Sequence, residues 1–195
     1  MVDIKNLNPA FQHREYLFRR KVLKLFGGAF HVYDENGDVV FYSKQKAFKL
    51  KENFRIYADE GQTKELLTIN TPQILDIGAT YNVQDVTTGE AVGALRRKGL
   101  TSVIKDEWTF LSKEGQEIGK LTETSMISAL LSRFINLVPQ TYVVLTNAIE
   151  VARIKQHFNP FVLRYTMTIS DENSVDPRLL IAAGILLAAI EGRQG

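Results

Sequence analysis

The stretch from Leu179 to Ile190 holds no charged residue and is bracketed by Arg178 and Glu191. At 1.5 Å per residue it reaches about 18 Å, whereas a bilayer core needs about 30 Å, so it is too short to span a membrane as a helix. Its ends are nonetheless well specified for a helix: Asp176 can cap the start, Pro177 suits the first helical position and Gly192 can close the far end. Leu179, Leu180, Ile181, Ile185, Leu186, Leu187 and Ile190 point around the whole circumference, with Ala182, Ala183, Gly184, Ala188 and Ala189 as small neighbours. A helix that is apolar all round must be surrounded. One sheet face cannot do this, but a sheet rolled into a wide barrel can, and a barrel much wider than about eight strands needs something to fill it.

The rest of the chain supplies the strands. Turn sequences recur at 34–38 (DENGD), 58–62 (ADEGQ), 85–90 (DVTTGE), 112–117 (SKEGQE) and 145–150 (LTNAIE), each between stretches rich in Val, Ile, Tyr, Phe and Thr. That is the pattern of successive antiparallel hairpins. Three turns are followed by an aliphatic, a small residue, any residue and an aliphatic: Val92-Gly93-Ala94-Leu95, Ile118-Gly119-Lys120-Leu121 and Val151-Ala152-Arg153-Ile154. Glycine weakens a strand, so Gly93 and Gly119 imply a bend or the close approach of another backbone. In 161–170, Phe161, Leu163, Tyr165, Met167 and Ile169 alternate with polar residues, which marks a strand buried on one face. One segment breaks the pattern. Residues 125–138 place Met126, Leu130 and Phe134 beside Ile127, Leu131 and Ile135 at helical spacing, ahead of Pro139. Its polar face, with Ser125, Ser128, Ser132 and Asn136, carries a single basic residue, Arg133, which favours a plug or a packed side of the sheet over a membrane-surface helix.

With no cysteine and with His13, His31 and His157 far apart, a disulfide framework is excluded and no metal site is expected. The charges at Asp3, Lys5, His13, Arg14 and Glu15 leave no room for an ordinary secretory signal, and a cytoplasmic location is expected. The net charge of +2, from 24 basic and 22 acidic residues, gives no overall field toward nucleic acid or membrane, so an anionic partner must be met by a local cluster. Three clusters exist: Arg19, Arg20, Lys21 and Lys24; Lys44, Lys46, Lys49, Lys51 and Arg55; and Arg96, Arg97 and Lys98. The basic residues are interleaved with acids and no nucleic-acid motif is present, so nucleic acid is not an expected partner.

Catalytic signatures are missing, with no nucleophile elbow, phosphate-binding loop, dinucleotide fingerprint or zinc-protease helix. Asp34, Asn36 and Asp38 imitate a calcium loop, but Gly37 stands at the fourth position where such a loop needs glycine at the sixth; a hairpin turn is expected. Asp106 and Glu107 point to opposite faces if they lie in a strand, which rules against a catalytic carboxylate pair. Neither an enzyme nor a cofactor is expected.

The stretches 25–41 (LFGGAFHVYDENGDVVF), 81–111 (YNVQDVTTGEAVGALRRKGLTSVIKDEWTFL), 114–123 (EGQEIGKLTE) and the final helix resemble the LURP-one-related family. That family shares the tubby-like architecture with tubby proteins and phospholipid scramblases. The resemblance runs from about Val22 onward. It implies a mainly β fold: a closed antiparallel barrel of about twelve strands enclosing the C-terminal apolar α-helix, as a single domain over 1–195 with 1–17 an N-terminal extension. It also implies a non-enzymatic binding module. Because tubby domains bind phosphoinositide headgroups and scramblase-like relatives associate with membranes, the expected ligand is an anionic phospholipid at a membrane surface. The cysteine-rich and proline-rich additions of scramblases are absent, which argues against scrambling itself. The candidate lipid-binding residues are Lys44, Lys46, Lys49, Lys51 and Arg55, with Arg96, Arg97 and Lys98. The alternative is a structural or protein-interaction domain without a lipid ligand, favoured by the near-zero net charge and by the solvated reading of each basic cluster.

Overall fold

The computed structural model describes residues 3–21, 29–44, 53–71, 78–98, 107–124, 139–159 and 161–190. The amphipathic helix expected at 125–138 and the closing Gly192 lie outside the described residues. Twelve strands form a closed antiparallel barrel: β1 (Glu15–Lys21), β2 (Ala29–Tyr33), β3 (Val39–Lys44), β4 (Asn53–Tyr57), β5 (Glu65–Asn70), β6 (Thr80–Asp85), β7 (Ala91–Arg97), β8 (Glu107–Leu111), β9 (Glu117–Glu123), β10 (Thr141–Thr146), β11 (Ile149–His157) and β12 (Val162–Ile169). Each strand pairs with its neighbours in sequence, and β1 closes the wall against β12. The expected apolar helix, α1 (Pro177–Ile190), runs inside, and every residue from Leu179 to Ala189 is buried.

The hairpin unit is more regular than its sequence pattern shows. In all five hairpins from β2–β3 to β10–β11 the register slips beside the turn, leaving one aliphatic residue of the second strand unpaired: Val40, Leu66, Val92, Ile118 and Val151. The first four stand at equal intervals in the chain. A bulge bends its strand and raises the local twist, and bulges gather at barrel rims. Here they also turn two successive residues toward the core, such as Leu66 and Leu67 or Val151 and Ala152. The small second residue of the pattern has a steric reason. A Cβ on Gly93 (φ +149°) would lie 2.4 Å from the Leu111 carbonyl oxygen and 3.2 Å from Leu179 of the helix. One on Gly119 would lie 2.9 Å from the Leu145 oxygen.

The helix is held against β1 in the same way, since a side chain at Gly184 would strike the Phe18 ring at 2.4 Å. Outward positions such as Asn82, Gln84, Arg96, Lys120, Lys155 and Thr168 are exposed and polar, the reverse of a lipid-facing barrel wall. No described helix is long and apolar enough to cross a membrane.

All five hairpin turns lie at one end of the barrel, the turn end. There the stretch before β1 forms two short 3-10 turns, Ile4–Asn6 and Pro9–Phe11, and buries Phe11 against Phe41 at 4.9 Å between ring centroids. The Tyr16 hydroxyl donates to the Ala10 carbonyl at 3.0 Å, and burial raises its pKa far above the ordinary tyrosine value. The wall thus begins at Glu15, inside the stretch expected to be an extension, because Tyr16 is a core residue.

Candidate functional site

Two polar constellations lie inside the barrel, one at each end of α1. At the turn end, Asp176 caps the helix by accepting from the Arg178 N–H at 2.9 Å, and its carboxylate also takes the Arg178 guanidinium, with Nη2 to Oδ2 at 2.7 Å. Nη1 of Arg178 reaches Asp85 at 2.8 Å and Glu90 at 3.1 Å on the β6–β7 hairpin. Arg178 is 2% exposed. Burial pulls its pKa down, but the carboxylates of Asp176 and Asp85 more than offset this and raise it. Burial likewise pushes Asp85 up, and hydrogen bonds from Thr87 and Arg178 outweigh it, so the carboxyl sits below its usual range. The cluster is internally satisfied, as a buried charge needs to be, with Glu90 at its exposed edge. Its role is to lock the helix start to the wall.

At the opposite end, Arg20 of β1 points inward and donates to the last helix carbonyls, Ala189 at 3.1 Å and Ala188 at 3.4 Å. A cation there satisfies orphan carbonyls and the negative end of the helix dipole. Across the barrel, Arg97 of β7 also points inward, with its guanidinium 5.9 Å from the Trp108 ring centroid. Arg97 stands between Arg96 and Lys98 in a sequence cluster expected on the surface. At 5% exposed it is interior, not on the surface. The bulge at Val92 is the cause: it shifts the alternation by one residue, so that Leu95 and Arg97 face the core and Arg96 faces solvent.

Of the remaining candidates, Lys44 ends β3 and is exposed. Continuing the register from the Tyr42–Tyr57 pair brings it beside Arg55 on β4, whose guanidinium reaches Glu65 at 3.5 Å. Lys98 follows β7 and pairs with Glu107 at 3.2 Å. Lys46, Lys49 and Lys51 lie outside the described residues, between the end of β3 and the start of β4. Strands β5 and β6 separate the Lys44–Arg55 group from Arg96 and Lys98, so the two groups occupy different sectors of the wall.

The charge missing overall appears once it is sorted by end. The turn end carries Asp34, Glu35, Asp59, Glu60, Glu90, Glu114, Asp171 and Glu172 against Arg14, Lys64, Lys113 and Arg178, and a cleft of about 620 Å³ beside the helix start is lined by Asp3, Glu90, Glu114 and Asp176 with Lys113 and Arg178. Near the opposite end, the described strand ends carry Arg20, Lys44, Arg96, Arg97, Lys98, Lys155 and Arg164 against Glu107 and Glu123. Among the described residues charge is thus unevenly divided between the two ends, although the net charge of the chain is only +2.

One group has the residue types for a cation. His13 Nδ1 lies 3.1 Å from Glu35 and 3.9 Å from Asp34. Asp34, however, already accepts from the backbone N–H groups of Asn36 at 3.0 Å and Asp38 at 2.9 Å, as the expected hairpin turn requires.

This barrel, its internal helix and the order of its hairpins agree with a comparison against known families, in which the LURP-one-related family model matches residues 14–188. The chain belongs to the LURP-one-related family. No curated protein matches the sequence. The family and the barrel fit a non-catalytic binding module. The helix α1 fills the barrel interior.

Proposed function

We propose that this LURP-one-related barrel docks reversibly on membranes rich in anionic phospholipid, phosphoinositides included, with the end opposite the hairpin turns facing the lipid. The carrying observation is the segregation of charge: acids crowd the turns, while exposed Lys44, Arg96 and Lys98 stand near the other end. A basic residue near an anionic surface contributes about 1 kcal/mol, so Lys44 and Arg96 supply about 2 kcal/mol, roughly thirtyfold in affinity, while Lys98 shares its charge with Glu107. That magnitude suits reversible docking and not permanent anchoring.

The test is co-sedimentation with neutral, phosphatidylserine and phosphoinositide vesicles at low and physiological salt. Binding should require anionic lipid, weaken with salt and fall at least tenfold when Lys44→Glu and Arg96→Glu are combined. No binding to any vesicle leaves the protein-interaction reading in its place, with the acidic cleft at the helix start as the surface to examine.

A further inference from the structure

The seam that closes the barrel brings together residues that nothing in the local sequence connects. Arg19 of β1 lies directly opposite Arg164 of β12, both on the outer face. The same row continues to His157 on β11 and His31 on β2, giving His157, Arg164, Arg19 and His31 across four adjacent strands. Like charges placed directly opposite each other in a sheet destabilise it. Here neither arginine forms an ion pair among the described residues, both are half-buried, and the Nε of Arg164 is buried without a hydrogen-bond partner. His31 is accounted for by Glu60 at 2.9 Å and His157 by the Thr166 hydroxyl at 2.8 Å. Among the described residues the arginine pair is therefore an uncompensated cationic spot, and paired guanidinium groups are the chemistry that takes up a phosphate oxyanion.

The same corner carries an independent apolar feature. Phe158 and Phe161, at the β11–β12 connection, are 56% and 62% exposed. The Asn159 carboxamide oxygen accepts from the N–H groups of Phe161 at 2.9 Å and Val162 at 3.0 Å, which fixes the backbone that displays the second ring. Arg164 follows Phe161 by three residues, about 10 Å along a strand. Interfacial apolar groups sit roughly 5–10 Å into the boundary between headgroups and acyl chains, so rings at that depth would bring the arginines level with the lipid phosphates.

We propose that the β11–β12 corner is the bilayer-docking element of the barrel: Phe158 and Phe161 enter the headgroup–acyl boundary while Arg19 and Arg164 hold lipid phosphates. This rests on the reading that the chain docks on anionic phospholipid, and it adds the site and the orientation. The sites expected from sequence, Lys44 and Arg96, then supply long-range attraction.

The test compares the unmodified protein with Phe158→Ala/Phe161→Ala, with Arg19→Ser/Arg164→Ser, and with the turn-end control Lys64→Ser/Val86→Ala. Each is titrated with phosphatidylcholine vesicles with and without phosphatidylserine or phosphoinositide. The phenylalanine pair should weaken binding by about a hundredfold. The arginine pair should weaken it by about thirtyfold and lessen its salt dependence. The control should match the unmodified protein. The chain contains no cysteine, so Phe161→Cys gives a single site for an environment-sensitive fluorophore, which should shift to the blue on anionic vesicles while the same label at Val86→Cys stays unchanged. Circular dichroism is expected to be native for all variants, since none of the replaced residues is a core side chain.

Vesicle binding by the unmodified protein with a silent label at Phe161 and unchanged affinity in both corner variants overturns this proposal and leaves membrane docking intact. No vesicle binding at all overturns both. Stabilisation by inorganic phosphate that Arg19→Ser/Arg164→Ser abolishes, without vesicle binding, assigns the arginines to a soluble anion and overturns the bilayer role. A mass in light scattering that falls from dimer to monomer in Phe158→Ala/Phe161→Ala, with vesicle affinity unchanged, assigns the rings to a second copy of the chain and likewise overturns it.

Discussion

The two ends of this barrel solve opposite problems with the same residue types. At the turn end, charge is closed in on itself: Arg178 is enclosed by Asp176, Asp85 and Glu90, Phe11 lies on Phe41, and short turns satisfy their own backbone groups. At the other end, charge is left open, with Lys44, Arg96 and the facing pair Arg19 and Arg164 turned outward and two phenylalanines beside them in solvent. A buried arginine with three carboxylates holds a structure together, whereas a half-buried arginine facing another arginine on the outer face leaves positive charge uncompensated. In the proposed docking, the turn end locks the helix start to the wall and the other end meets the lipid.

Leu186→Asp strikes what joins the two ends. It places a carboxylate on the buried helix, where desolvation costs several kcal/mol against a typical total stability of about 5–15 kcal/mol. The variant should be unfolded by circular dichroism and thermal melting, and a cooperatively folded product would contradict the buried helix.

Asp85→Asn tests the turn end alone. It should lower unfolding free energy in urea by about 3 kcal/mol, because Arg178 stays charged and buried with fewer partners. Its pH dependence has a defined sign. The native Asp85 carboxyl is held below its ordinary value, so its contribution is complete above about pH 4 and is lost as pH falls through the lower native value. The deficit of the variant should be constant from pH 5 to 8 and shrink below about pH 4. A deficit that grows with acid would contradict the assignment. Vesicle binding at pH 7 should be unaffected, which separates the two ends.

Ala148→Gly is the smallest change. The β10–β11 turn places both Asn147 (φ 51°) and Ala148 (φ 65°) in the left-handed region, where glycine is the unstrained choice at the second position. The substitution should raise stability by about 0.5–1 kcal/mol in urea, without altering vesicle affinity. A loss of stability would mean that the methyl group makes contacts worth more than the strain.

These outcomes bear on how far a sequence can be read. The apolar run from Leu179 to Ile190, with Asp176 and Pro177 before it, dictates a helix that must be enclosed, and the evenly placed turns dictate hairpins to enclose it. Both follow from local chemistry and from the amount of apolar surface, which the chain carries with it. The candidate site was legible only in part. Lys44 and Arg96 are exposed as expected, but Arg97 is inside because a single bulge at Val92 reverses the alternation behind it, and a bulge is a pairing between two strands that neither strand announces alone. The buried partners Asp85 and Arg178, far apart in sequence, met only when the helix entered the barrel.

Composition fixed the net charge at +2 and could say nothing of its distribution, since the split into an acidic and a basic end depends on which strand ends share a rim. The facing of Arg19 and Arg164 depends on the last event in the topology, the closure of β1 on β12. What the chain determined by itself was that a barrel would form around its last helix. The tertiary structure alone decided which charges are sealed and which are offered, because the burial of a charge is a property of its neighbours and these come from distant parts of the chain.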